Sequence, residues 1–373
     1  MSTLKATYLQ QASSASPNIT LDASGNATVG NTLAMGSSFL RNKLINGNFA
    51  VAQRGTSFTS TNGANNNDTY NLDRWYVLSD GNDIVDITQA TDVPSNGSKY
   101  SIGLDVETVN KKFGIAQIIE NINCQNLIGN TVSLSFKARV TATTKLDNVK
   151  AAIVSWSGTA DSGVTSDIIS AWNVEGTNPT LTTSLTYENT PANLNVTTSW
   201  ATYKIANIAV DTASTTNIIV FIWSDVTDTT LGDFLYVTDV QLEVGSVATP
   251  YERQIYTDQL AQCQRYYQYW GGSAYYERVA SGFWVTSTAS EVNVPRISVT
   301  MRATPTITYS SVSDWAVSNH NTNYTCTAIS IGNSSPSSCS FSLTSATGAA
   351  GGSVAIMVAN NTTNARLGLN AEL

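Results

Sequence analysis

Between residues 41 and 255 the chain runs through short stretches of alternating or continuously apolar residues, broken at Gly, Asn and Asp. In NTVSLSFKARV, Val132, Leu134, Phe136 and Ala138 fall on one side, while Ser133, Ser135, Lys137 and Arg139 fall on the other. A period of two over such a run predicts a strand with one face buried. NKLINGNFAV, DRWYVLS, NDIVDITQA, KYSIGLDVE, GIAQIIEN, NVKAAIVSW, ATYKIANIAV, TNIIVFIWS and FLYVTDVQLEV carry the same kind of signal. About ten strands with no helical period between them predict an antiparallel β-sandwich of jelly-roll type, cored by its two inner faces.

The pattern changes on both sides of this block. Residues 1–40 are small and polar, with two short strands expected around the turn Asp22-Ala-Ser-Gly25, and they hold too few large apolar groups to close a core alone. Residues 256–270, YTDQLAQCQRYYQYW, read as a linking helix with Leu260, Cys263 and Tyr267 on one stripe. That stripe suits a domain seam or a trimer axis better than a cleft. Strand patterns resume in YYERVASGFWV, EVNVPRISVTM, TPTITYSSV, CTAISIG, CSFSLTS and GGSVAIMVANN, predicting a smaller β domain over 271–373 that ends in a polar tail, Asn370 to Leu373. The expected fold class is therefore mostly β: a sandwich over 41–255, a short linking helix and a C-terminal β domain.

Composition supports this. Charged residues are only 12% of the 373, and Ser, Thr, Asn and Gly stand in their place, as suits pleated strands and many turns. A formal net charge of -8 removes the electrostatic footprint of a nucleic-acid binder. No stretch approaches the ~18 apolar residues of a membrane span, and the first thirty residues lack the apolar core of a signal peptide, so membrane insertion is not expected. Four cysteines without CxxC spacing argue against zinc. Cys326 and Cys339 lie in one hairpin-like unit and fit either a pair or two free thiols.

Candidate chemistry is sparse. The sole histidine, His320, sits in a polar loop and cannot alone supply a metal set or a triad. Carboxylates cluster as Asp80, Asp83 and Asp86, as Asp225, Asp228 and Asp233, and as Asp239 with Glu243; the default reading is turn formation or solubility, because sequence spacing places no catalytic pair across a cleft. No cofactor is expected beyond a structural calcium ion, for which Asp239 and the Asn46-Gly-Asn48 turn are the best oxygen donors. Tryptophans offer a different currency, since a sugar ring stacks its apolar face on an aromatic while amides and carboxylates take its hydroxyls. Trp156, Trp172 and Trp315 are the glycan-binding candidates; Trp75, Trp200, Trp223 and Trp284 lie in strand patterns and read as core.

The ordered motifs NKLINGNFAVAQRGTSF (42–58), YNLDRWYV (70–77), IAQIIENINCQNLIGNTVSLSFKARV (115–140), VQLEVGSVATPYERQ (240–254) and LAQCQRYYQ (260–268) resemble a family of tailed-bacteriophage tail fibre or receptor-binding virion proteins. The family usually has Ala before Asp-Arg-Trp where this chain has Leu72, and Phe where it has Tyr251. RATPTIT, residues 302–308, is also similar. The resemblance implies a homotrimeric, non-catalytic virion fibre component with a carbohydrate-binding-module-like jelly roll. It would be made in the host cytoplasm, docked to tail or capsid proteins through residues 1–40, and would attach to a host-surface glycan, the C-terminal domain forming the distal tip. The rivals are a glycan-degrading tailspike enzyme and a capsid-bound decoration or head fibre. Arg265 is expected to meet a carboxylate between domains or subunits.

Overall fold

In the computed structural model the described residues are 8–9, 19–21, 27–29, 40–162, 167–294 and 297–373. The chain divides into two compact units, Met1–Arg41 and Asn42–Leu373. In the first, strands Tyr8–Leu9, Ile19–Leu21 and Ala27–Val29 form a three-stranded antiparallel sheet. The expected turn at Asp22–Gly25 lies outside the described residues.

The second unit opens with a sandwich of two six-stranded antiparallel sheets. One sheet runs, in spatial order, Ala201–Ala209, Thr131–Val140, Phe234–Val244, Ser101–Val106, Val85–Ala90 and Ser57–Phe58. The other runs Leu185–Tyr187, Val149–Trp156, Asn217–Ser224, Phe113–Ile119, Tyr76–Ser79 and Thr69–Tyr70. Between them lie Val132, Leu134, Phe136 and Ala138 from one side and Ile218, Val220 and Ile222 from the other. Burying each large aliphatic or aromatic side chain stabilises the fold by about 1.5–3 kcal/mol.

The sheets differ on their outer faces. Asn217–Ser224 is buried at every position, because its outward Ile219, Phe221 and Trp223 lie in a second core with Ile168 and Ile169, against which Trp156, Trp172, Leu181, Leu185, Tyr187 and Leu373 pack. The hairpin of Ile169–Ala171 and Thr180–Leu181 belongs to this cover. A salt-bridge cluster fastens it: Asp225, fully buried, meets Lys112 and Lys150 and accepts the Gly176 amide, while Lys112 also donates to the Val174 carbonyl. Asp225 is thus a buried clamp rather than a solubilising charge. The Thr131–Val140 sheet keeps an outer face that is partly open.

Several expectations need correction. NKLINGNFAV forms no strand, although Leu44, Phe49 and Val51 are buried. Asn46 (φ 58°) turns the chain and binds it with its side chain, to the Val51 carbonyl and amide and to the Asp73 carbonyl. At Gly47 a Cβ would lie 2.1 Å from the Val240 carbonyl oxygen, so only glycine permits this approach. The linking helix covers Tyr256–Gln264 alone; Tyr267–Gly271 is a strand. Of the expected tail, Asn370 to Leu373, only Asn370 lies in a strand: Arg366–Asn370 is the central strand between Tyr267–Gly271 and Thr306–Tyr309, with Leu367 and Leu369 buried, and Ala371 beyond it is buried as well.

This small sheet shares a core with a closed six-stranded barrel formed by Arg278–Trp284, Ala289–Val294, Ser338–Ser345, Asn323–Ser335, Trp315–Ser318 and Val354–Ala359. Trp284, Trp315, Phe341 and Met357 fill it. All four cysteines are buried and free, Cys326 and Cys339 included. Among the described residues no helix is long and apolar enough to cross a membrane.

Candidate functional site

The motif residues that carry the family resemblance converge on one place, the seam between sandwich and C-terminal sheet. Glu120, at the end of IAQIIE, receives two hydrogen bonds from Arg265, at 2.9 and 2.7 Å, and one from the Tyr266 hydroxyl at 2.8 Å. Burial opposes its charge, but these donors outweigh burial and hold the carboxyl below its usual range. Arg74 of the DRW motif pairs with Glu372, its guanidinium 3.6 Å from the Tyr266 ring centroid. Arg54 of QRG lies 3.8 Å from the Tyr267 ring centroid and 3.3 Å from Glu372. Gln53 donates to Asp73 and to the Tyr267 carbonyl, and Arg302 donates to the carbonyls of Ala371 and Glu372, each at 2.9 Å. Most of these groups meet one another, while Arg54 Nη1, Arg74 Nε and Glu372 Oε1 have no hydrogen-bond partner among the described residues.

The predicted stripe is placed differently. The buried helix positions are Gln259 and Cys263, continued by Tyr266 after the helix ends. Leu260 is half-buried beside a hollow of about 310 Å³ with Gln53, Tyr256 and Tyr269. Tyr267 is not helical at all.

The tryptophan candidates also move. Trp315 is fully buried in the barrel. Trp172 packs edge-on to Phe221, and Trp156 covers Gly158 while its Nε1 donates to the Thr159 carbonyl. Both are half-buried in the hairpin cover, so neither stands free as a platform. Calcium fares no better. Asn46 has spent its amide, Asn48 faces the Ala50 amide, and Asp239 is held by Lys137 at 2.9 Å and by the Ser98 hydroxyl. A hard cation needs several free oxygens, and among the described residues no group of three or more His, Cys, Asp or Glu side chains is arranged to hold a metal ion. These residues do not fit the ion. His320 is an exposed loop residue with φ 82°.

The open sheet face carries a site that the tryptophan search missed. Along Phe234–Val244, Leu235 and Val237 point inward, leaving Phe234 and Tyr236 half-buried on the outer side. Their rings are stacked, 5.1 Å between centroids and 3° from parallel. Opposite Tyr236 stands Gly103, where a Cβ would come within 3.0 Å of the Tyr236 ring. Glycine here lets the ring lie over the neighbouring strand. Trp200, expected in the core, is instead half-exposed at 6.4 Å from Tyr236. Asp92 fixes it by accepting from its Nε1 at 2.9 Å and from Arg139 at 2.7 Å.

Polar groups rim this shelf. Asp105 pairs across the sheet with Phe234 on one side and Asp86 on the other. Burial, with Glu107, Asp86 and Asp233 adding repulsion, pushes its carboxyl up to about 6. Burial likewise raises Asp86, against a donor from Asn65. Asp105 Oδ1, Asp233 Oδ2 and Arg139 Nε have no hydrogen-bond partner among the described residues. Unmet buried polar atoms beside exposed rings suit a ligand with an apolar face and many hydroxyls. Phe234 and Tyr236 could have been found from sequence, since in FLYVTDV they alternate against Leu235 and Val237.

No family model matches the chain, and no curated protein matches it. Solved structures do. The chain is similar to the enzymatically active domain of tailspike protein 4 from bacteriophage CBA120, at 15% identity over 55% of this chain and 22% of that one, with a TM-score of 0.34. It is similar to TmCBM61 in complex with β-1,4-galactotriose, at 17% identity over 55% of this chain and 99% of that one, with a TM-score of 0.29. A putative sugar binding protein from Bacteroides thetaiotaomicron matches at 14% identity over 55% of this chain and 100% of that one, with a TM-score of 0.32.

Proposed function

We propose that this chain is a non-catalytic attachment component of a phage virion, and that the open sheet face holds a host-surface glycan. The observation that carries the binding reading is the Phe234–Tyr236 shelf with Trp200 beside it, rimmed by unpartnered polar atoms of Asp105, Asp233 and Arg139. Stacking supplies affinity that tolerates small changes in the sugar, and the rim selects hydroxyl positions. The virion part rests on the sequence motifs. A homotrimeric fibre would present three such faces, and linkage makes weak sites avid. Residues 1–40 are assigned to docking on tail or capsid.

The test is binding of the full chain to an array of bacterial surface polysaccharides, alongside a Phe234→Ala/Tyr236→Ala variant. Retained binding in the folded variant rejects the shelf. Glycan cleavage is the second reading, favoured by Asp105 facing Asp86 with a carboxyl pushed up to about 6, the kind of shift a general acid needs. Release of reducing ends from a bound polysaccharide, abolished by Asp105→Asn, would establish it in place of simple attachment.

A further inference from the structure

The shelf does not end at Tyr236. On the same outer face, Lys137 pairs with Thr202 and Ser135 with Lys204 across the neighbouring strands. These residues line a hollow of about 280 Å³, closed on one side by Thr249, Pro250 and Tyr251. A β-bulge shapes its floor: the register of Thr131–Val140 against Phe234–Val244 shifts between Ser135 and Lys137. Asp239 sits there with φ 54° between the inward Val237 and Val240, and its carboxylate reaches Lys137 on the outer face. That pair leaves Lys204 as the uncompensated charge of the hollow. Lys204 is exposed, and its side chain makes no hydrogen bond or ion pair among the described residues.

We propose that this hollow is a subsite for a carboxylate-bearing sugar, so that the glycan held by the face is an acidic one of the uronic-acid class. The inference rests on the reading that the open face holds a glycan. With Asp239 paired to Lys137, and the Glu243 carboxylate behind Thr249 engaged by Thr249 and Gln241, Lys204 is the charge left to meet a monoanion; a phosphate dianion would call for a guanidinium fork or several amides, which the lining lacks. The Thr202 hydroxyl flanks the lysine, the Thr249 hydroxyl being spent on Glu243, and Pro250 and Tyr251 give the ring an apolar wall. The chain's net charge of -8 does not forbid this. The rim carboxylates Asp105 and Asp86 sit about six residues along the strands from Lys204, roughly 20 Å at ~3.3 Å per residue, beyond a screening length of about 8–10 Å.

The test uses the full chain with ¹³C-labelled lysine and tyrosine. It is titrated with glucuronate, galacturonate and mannuronate, each against its neutral hexose, in the wild type, Lys204→Gln and Tyr236→Ala. The expected result is that at least one uronate shifts the Lys204 and Tyr251 signals at about tenfold lower concentration than its hexose, and that Lys204→Gln erases the difference. Equal response to both sugars, or a preference that survives Lys204→Gln, overturns the acidic subsite and leaves glycan binding standing. No response to any of the six sugars overturns the subsite, and if polysaccharide binding is also absent the function reading falls with it.

Discussion

The seam and the open face draw on the same residue types, arginine, carboxylate and aromatic ring, and use them in opposite ways. At the seam Arg265 and Glu120 meet through two hydrogen bonds, while Arg54 and Arg74 cover the Tyr267 and Tyr266 rings. On the open face the rings of Phe234 and Tyr236 remain half-exposed, and Asp105, Asp233 and Arg139 keep unpartnered atoms. Atoms without a hydrogen-bond partner occur at the seam too, on Arg54 Nη1, Arg74 Nε and Glu372 Oε1; what sets the open face apart is that such atoms stand beside half-exposed rings. The residues that make the chain resemble a family therefore describe how its halves are joined. Of the residues that would choose a receptor, Phe234, Tyr236, Trp200, Asp105 and Asp233 lie outside those motifs, while Arg139 and the hollow's Ser135, Lys137, Thr249, Pro250 and Tyr251 lie within them.

The largest expected effect is at the seam. Arg74 and Glu372 are both almost wholly buried, at 1% and 4% side-chain exposure, and removing Arg74 leaves the buried Glu372 carboxylate with Arg54, 3.3 Å away, as its remaining ion-pair partner. Arg74→Ala should cost about 3–5 kcal/mol in a denaturant titration, with a broken link between sandwich and C-terminal sheet. Glu120→Gln, whose partner Arg265 is 38% exposed, should cost less, about 1–2 kcal/mol. Because Glu120 is held below its usual range, its contribution is present above the ordinary carboxylate value and lost as the pH falls through the folded one. The variant should therefore lose part of the wild type's acid-side decline in stability.

On the open face the sizes reverse. Tyr236→Ala should leave the melting temperature within a few degrees of wild type but weaken glycan binding about tenfold, since stacking contributes about 0.5–1.5 kcal/mol beyond burial. Asp105→Asn should have the smallest effect on stability, visible only as pH dependence. A carboxyl raised to about 6 contributes stability below the ordinary carboxylate range, and loses it as the pH rises through 6. The variant should thus gain on wild type at pH 8 relative to pH 4, by thermal melts at both. An unchanged difference would show that Asp105 ionises normally.

Much of this architecture can be read from the chain. The polar-apolar alternation of NTVSLSFKARV marks a strand with one inward face, whose residues are buried, while on the outer side Ser133 and Ser135 are covered too and Lys137 and Arg139 are half-exposed. The unbroken apolar run of NIIVFIWS signals a strand covered on both sides. Other parts were hidden for physical reasons. NKLINGNFAV buries its large residues from an irregular backbone held by Asn46 and Gln117, which period-counting mistakes for a strand. Leu367 and Leu369 are only two apolar positions in a polar setting, and the central place of their strand depends on partners distant in sequence, Tyr267–Gly271 and Thr306–Tyr309. Trp156 and Trp172 look like platforms because they flank loops, and only the folded hairpin reveals what they cover. The shelf was legible in its alternation, yet Phe and Tyr within an apolar strand draw less notice than tryptophan.

On the proposed reading the Glu120–Arg265 seam joins the two halves and the Phe234–Tyr236 shelf of the open face binds. Polysaccharide binding by Phe234→Ala/Tyr236→Ala and by Glu120→Gln, compared at a temperature where both are folded, tests it most directly. The account predicts at least about tenfold loss in the shelf variant and wild-type affinity in the seam variant. Binding lost from a folded Glu120→Gln protein and kept by the shelf variant would contradict it.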